Sequence, residues 1–197
     1  FYSRSKQGNT QGPMFDLTRM PAGVDLLSDD PFEPGELVLN VNPTDPESPN
    51  PIYTLKEQDR MAYRSRFLGS ATARYSPNDW LKLDGNVSFD RADRNNETAY
   101  PKGYRTINPS TTYNDGYLYK YNSTSEALNA SVTASGRFDL TDQIRNNTQV
   151  RYLYELQDFQ SFNTSGYEYA VADVPVFDNV NQDNVNNGSY IDKVIAD

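Results

Sequence analysis

The chain has 197 residues, with 27 acidic and 18 basic side chains, no cysteine, no histidine and a net charge of −9. This excludes a disulfide framework, thiolate or imidazole metal sites and every Ser-His or Cys-His relay, and it argues against a protein that wraps nucleic acid. No run approaches the ~18 apolar residues of a spanning helix, and 15 tyrosines are too many for simple disorder, whereas a membrane β-barrel, whose strands signal weakly, stays open.

The chain opens at Phe1-Tyr2-Ser3-Arg4-Ser5-Lys6, which alternates like the end of a strand over 1–7, and it stops at Ile195-Ala196-Asp197 with no closing element. It therefore reads as an internal fragment of one larger β domain. Residues 9–60 are polar and hold ten acids and three bases. They are expected to form a long loop.

Period-two patterning begins at Met61. Tyr63, Phe67, Gly69, Ala71, Ala73 and Tyr75 alternate with Arg64, Arg66, Ser70, Thr72 and Arg74. Ser76-Pro77-Asn78-Asp79 signals a tight turn. Leu81, Leu83, Gly85, Val87 and Phe89 then alternate with Lys82, Asp84, Asn86, Ser88 and Asp90, giving a hairpin over about 61–91. A second hairpin is expected over about 126–157. There Leu128, Ala130, Val132, Ala134, Gly136 and Phe138 alternate with polar residues, and a short Leu140–Gln143 connection leads to Val150, Tyr152, Tyr154 and Leu156. Segments 92–125 and 158–197 read as further long loops, the latter with seven acids and one base.

Connections that alternate short and long place all short turns at one end of an antiparallel meander. That is the layout of an outer-membrane barrel with long external loops. The expected fold is thus all-β, an antiparallel meander forming part of a large transmembrane barrel. Phe67, Ala71, Val87, Val132 and Val150 are expected to face lipid, and Arg64, Arg66, Arg74 and Arg151 an aqueous lumen. Tyr75, Trp80 and Phe138, beside the short turns, suit an interfacial aromatic girdle. A soluble β-sandwich that buries one face of each strand has the same alternation. It is carried as the alternative, in the form of a secreted glycan-binding module.

Segment 92–125 concentrates Tyr100, Tyr104, Tyr113, Tyr117, Tyr119 and Tyr121. A tyrosine offers a flat apolar face and a hydroxyl, which suits stacking on sugars or flexible peptides. Tyr104, Tyr113, Tyr117, Tyr119 and Tyr121 are therefore the candidate ligand-binding residues. The run Asp183 to Gly188 is not an EF-hand, because Val185 stands where an oxygen ligand is needed. No metal site, cofactor or catalytic constellation is expected, and an enzyme is not indicated.

Several segments resemble the SusC/RagA family of TonB-linked outer-membrane transporters. They are Asn50-Pro51-Ile52-Tyr53-Thr54, then Asp59-Arg60 and Arg64-Ser65-Arg66-Phe67-Leu68-Gly69-Ser70, and Tyr75-Ser76-Pro77-Asn78-Asp79-Trp80-Leu81. Tyr53 stands where the family pattern has Trp. The resemblance covers roughly 1–90 by motif and 91–157 by layout. It implies import of a nutrient such as a glycan or peptide fragment across the bacterial outer membrane. It also implies energy coupling through the TonB system, by parts outside these residues, and a SusD-like surface lipoprotein as partner.

Overall fold

The computed structural model describes residues 2–8, 11–141 and 143–196. Phe1, Asp142 in the second short turn, and Asp197 lie outside the described residues. Six antiparallel strands form one sheet in sequence order: β1 (Tyr2–Gly8), β2 (Asp59–Asn78), β3 (Leu81–Lys102), β4 (Asp115–Thr141), β5 (Ile144–Tyr167) and β6 (Asn186–Ala196). The all-β meander is as expected. The sheet is open, with β1 and β6 at its edges. Two short turns join β2 to β3 and β4 to β5 at one end, here the lower. The connections after β1, β3 and β5 all lie at the upper end.

The strands run far past their expected limits. β4 has 27 residues and β5 has 24, so β4 is about 90 Å long at ~3.4 Å per residue. Most of the expected loop 92–125 is therefore strand, and only 103–114 connects. The expected loop 158–197 contains the end of β5 and all of β6. The reason is visible in the register. Above Phe89 the formerly apolar face of β3 continues with Arg91, Asp93, Asn95 and Glu97, so hydropathy stops alternating although the ladder does not. Direct cross-strand ion pairs hold this part, Arg91–Glu126 at 3.0 Å and Lys120–Glu97 at 3.2 Å.

The register sorts the faces. On one face, rungs run Gly69–Phe89–Leu128–Leu156, Ala71–Val87–Ala130–Tyr154, Ala73–Gly85–Val132–Tyr152 and Tyr75–Leu83–Ala134–Val150. The rung above them is Phe67–Arg91–Glu126–Asp158. The apolar band therefore has a sharp upper limit. Its lower limit lies at Trp80 and Phe138, whose rings are 5.1 Å apart beside the short turns. From Leu128 to Phe138 the band runs about 34 Å along the strand, or roughly 24 Å of height at a ~45° tilt.

Nothing among the described residues covers this band. Val87 is 41% exposed, Val132 55% and Val150 65%. Among the described residues the strands form this one sheet, and no second sheet packs on the apolar band.

The buried core sits at the upper end instead. The connection after β5 folds back over the sheet, packing Tyr169 and Val180 against Ala99 and Leu118. Gly116, at φ +93°, leaves room for the Tyr169 ring, and a Cβ there would overlap it. Tyr169 donates its hydroxyl to the Tyr117 carbonyl at 2.8 Å, and Lys102 Nζ donates to the Tyr169 carbonyl at 2.7 Å.

The connection after β1 carries two helices, α1 (Gln11–Arg19) and α2 (Pro51–Glu57). Helix α2 starts where Asn50 caps it, its side chain accepting from the Ile52 N–H at 3.0 Å, with Pro51 in the first turn. The fully buried Asn50 amide also donates to the carbonyls of Leu26 and Val38, tying three stretches of the connection together. A third helix, α3 (Thr111–Asn114), precedes β4.

Candidate functional site

The face opposite the apolar band is mainly polar, with Leu68, Leu153 and Phe159 as apolar exceptions. The register puts Arg64, Arg66, Arg74 and Arg151 all on it, as the alternation requires. Arg66 makes a two-point ion pair with Asp90, at 2.9 and 2.5 Å, and Arg74 pairs with Asp84 at 2.6 Å. These arginines thus divide: two are held by neighbouring carboxylates, while Arg64 and Arg151 have no ion pair among the described residues.

At the upper end of this face, five tyrosines join through their rings. Tyr100 is the hub, 4.9 Å from Tyr104, 5.4 Å from Tyr113 and 5.5 Å from Tyr117. Tyr53, from α2, extends the cluster at 5.5 Å from Tyr104. Edge-to-face and tilted contacts at these separations are favourable beyond simple burial. The candidate residues Tyr104, Tyr113 and Tyr117 are therefore brought together. Tyr119 and Tyr121 follow Tyr117 on the same face of β4, further down the strand.

Their roles differ. Tyr104 is only 6% exposed. Its hydroxyl accepts from Gln58 Nε2 at 2.7 Å, and burial pushes its phenol above the ordinary value. It forms the floor of the cluster and offers no free ring face. Tyr113, at 41% exposure, and the half-buried Tyr100, Tyr117, Tyr119 and Tyr121 present the accessible aromatic surface.

A half-buried arginine fixes the loops around this cluster. Arg105 donates to Asp30 at 2.7 Å and to the Leu37 carbonyl at 2.6 Å, and its guanidinium lies 5.1 Å from the Tyr53 ring centre. Its backbone N–H donates to the Tyr53 hydroxyl at 2.7 Å. Asp30 is held below the usual carboxylate range, first by the Phe32 N–H and then by Arg105. The connection after β1 is thereby clamped to the connection after β3.

Sequence reasoning missed Tyr53, Tyr100 and Arg105 as members of this arrangement. Tyr100 was within reach, since it shares the alternation phase of Ser88 and Asp90 on β3. Tyr53 and Arg105 come from separate connections, and no spacing along the chain announces their contact. No group of three or more acidic, His or Cys side chains able to hold a metal exists among the described residues, and none of their helices is long and apolar enough to cross a membrane. The tyrosines and free arginines can stack on flat rings and bind anions. Comparison with protein-family models finds no match, and comparison with curated proteins finds no significant match.

Proposed function

We propose that this chain supplies strands and loops of a TonB-dependent outer-membrane transporter of the SusC/RagA type. Such a protein imports a nutrient such as a glycan or peptide fragment, with a SusD-like lipoprotein at its outer face. The observation that supports the reading is the uncovered apolar band. It is about as tall as a bilayer's hydrocarbon region is to a barrel, roughly 25 Å, it ends above in a charged rung and below in aromatics, and a mainly polar face backs it. In water such a band is an aggregation hazard; against lipid it needs no cover. The apolar face then meets outer-membrane lipid, the polar face lines the lumen, and the tyrosine cluster sits where the lumen opens outward.

The test is cysteine labelling in the full native chain in bacterial outer membranes. Val87 and Ser88 are neighbours on opposite faces of β3. Ser88→Cys is expected to react with a small water-soluble thiol reagent. Val87→Cys is expected to stay protected until detergent replaces the lipid. Equal reactivity at both positions in a protein released without detergent would end the transporter reading.

A further inference from the structure

Resting on that reading, the polar face points to the charge of the cargo. On it, Arg64 of β2 lies directly opposite Arg94 of β3, and the rung runs from Ser5 of β1 through this pair to Ser123 of β4, Ser161 of β5 and Tyr190 of β6. Two like charges in direct cross-strand register repel, and neither arginine has an ion pair among the described residues. Arg66, one step below on the same face, is already taken by Asp90. Arg60, two steps above Arg64, donates to the Tyr100 hydroxyl at 3.1 Å, yet its Nε is buried with no hydrogen-bond partner.

The acids nearby do not neutralise this group. Asp93 borders the same concavity, of about 410 Å³. Its carboxylate belongs to the other face, where Arg91 and the Thr124 hydroxyl hold it. Asp192, on the polar face of β6, is three strands from Arg94, about 14 Å at the usual strand spacing. The acidic connection after β1 ends five residues above Arg64, about 17 Å along the strand and beyond a Debye length of roughly 8–10 Å.

Aromatic surface adjoins the pair. Tyr121 stands on β4 one step above Ser123, diagonal to Arg94, and Tyr119 follows it. A diagonal neighbour at ~7–8 Å is within reach of long side chains. Flat rings beside two unpaired guanidinium forks match a flat-faced sugar that carries a carboxylate or sulfate.

We infer that Arg64 and Arg94, with Tyr121, form a binding site for anionic sugar units on the polar face, so that the imported ligand is an acidic oligosaccharide. The anion relieves the repulsion between the two arginines, and the sugar ring stacks on the tyrosine.

The test uses the full native chain purified in detergent micelles, and calorimetric titration with three probes: trigalacturonate, its neutral counterpart galactotriose, and triglutamate. Trigalacturonate is expected to bind most tightly and to weaken as salt is raised. Arg64→Gln and Arg94→Gln are each expected to weaken it roughly tenfold, the size of one lost charge-assisted contact, and to leave galactotriose unchanged. Arg94→Lys is expected to fall between, because it keeps the charge and loses the fork. Tyr121→Ala is expected to weaken trigalacturonate. Lys82→Gln, an equal charge change twelve residues away on the same face, is expected to change nothing. The inference is overturned if triglutamate binds as well as trigalacturonate, if the arginine variants weaken the neutral sugar equally, or if Lys82→Gln has the same effect. Labelling at Val87 on the same preparation reports the membrane reading separately, so failure of one is distinguishable from failure of the other.

Discussion

Replacing Val132 by arginine separates a lipid-facing band from a merely wet one. Val132 is 55% exposed and lies between Gly85 and Tyr152 on its rung. It stands four residues from Leu128 and six from Phe138, the limits of the band on β4. These separations are about 14 and 20 Å along the strand, or roughly 10 and 14 Å of height at a ~45° tilt. Val132 is therefore close to the midplane. An arginine on the lipid face of a barrel at that depth costs about 2–4 kcal/mol, whereas a substitution at an exposed site in water stays within about 0.5 kcal/mol. Thr133, its neighbour on the polar face, provides the control, and Thr133→Arg is expected to stay within about 0.5 kcal/mol. The assay is reversible urea unfolding of the full native chain in lipid vesicles, read by the mobility difference between folded and unfolded barrel on a cold gel. If V132R and T133R cost the same small amount, the band does not meet lipid and the reasoning fails.

Leu118 is fully buried beside Ala99, Tyr169 and Val180, so Leu118→Ala is expected to cost about 2–5 kcal/mol in the same unfolding assay. Burial raises the Tyr169 phenol to about 12. A folded value above the unfolded value of about 10 means stability that is complete below pH ~10 and lost as pH rises towards 12; chymotryptic nicking of 168–185 is expected to accelerate across that window, and less steeply in Tyr169→Phe. Gly116→Ala forces a Cβ into the Tyr169 ring at a backbone angle of +93°, and is expected to open the same segment to protease at neutral pH. Arg105→Ala removes the contacts to Asp30, Leu37 and Tyr53, and faster cleavage within 29–37, with the strands still protected, is the expected readout.

The alternation from Met61 to Phe89 and from Leu128 to Leu156 disclosed the two hairpins, because lipid or core contact leaves a hydropathy record on every second residue. The upper halves of the same strands left no such record. Arg91, Asp93, Asn95 and Glu97 occupy the phase of Val87 and Phe89, and a ladder with charges on one face and Asn and Thr on the other reads as loop. Strand β6 was hidden for a related reason, since it pairs only with the upper half of β5. The four arginines share one face of the sheet because parity alone decides that. The tyrosines were legible as a group but not in their roles. Tyr104 is buried by Tyr53 and Gln58, which lie 51 and 46 residues away in the chain, and no local pattern encodes that contact.

Strands β2 to β5 each carry two zones of different surface on one backbone. Below the Arg91–Glu126 rung, the outward face carries Ala, Gly, Val and Leu, whose stability as a surface depends on what lies against them. Above it, the face supplies its own partners: Lys120 meets Glu97, Arg91 meets Glu126, and Thr124 meets Asp93. Higher still, Tyr169 and Val180 cover Leu118 and Ala99 with a small core. Among the described residues, neither device appears on this face in the lower half of the long strands. The opposite face, by contrast, stays mainly polar from Arg74 to Tyr117. The change on one face, against a mainly polar opposite face at the same height, is what the proposed bilayer against one face alone would produce.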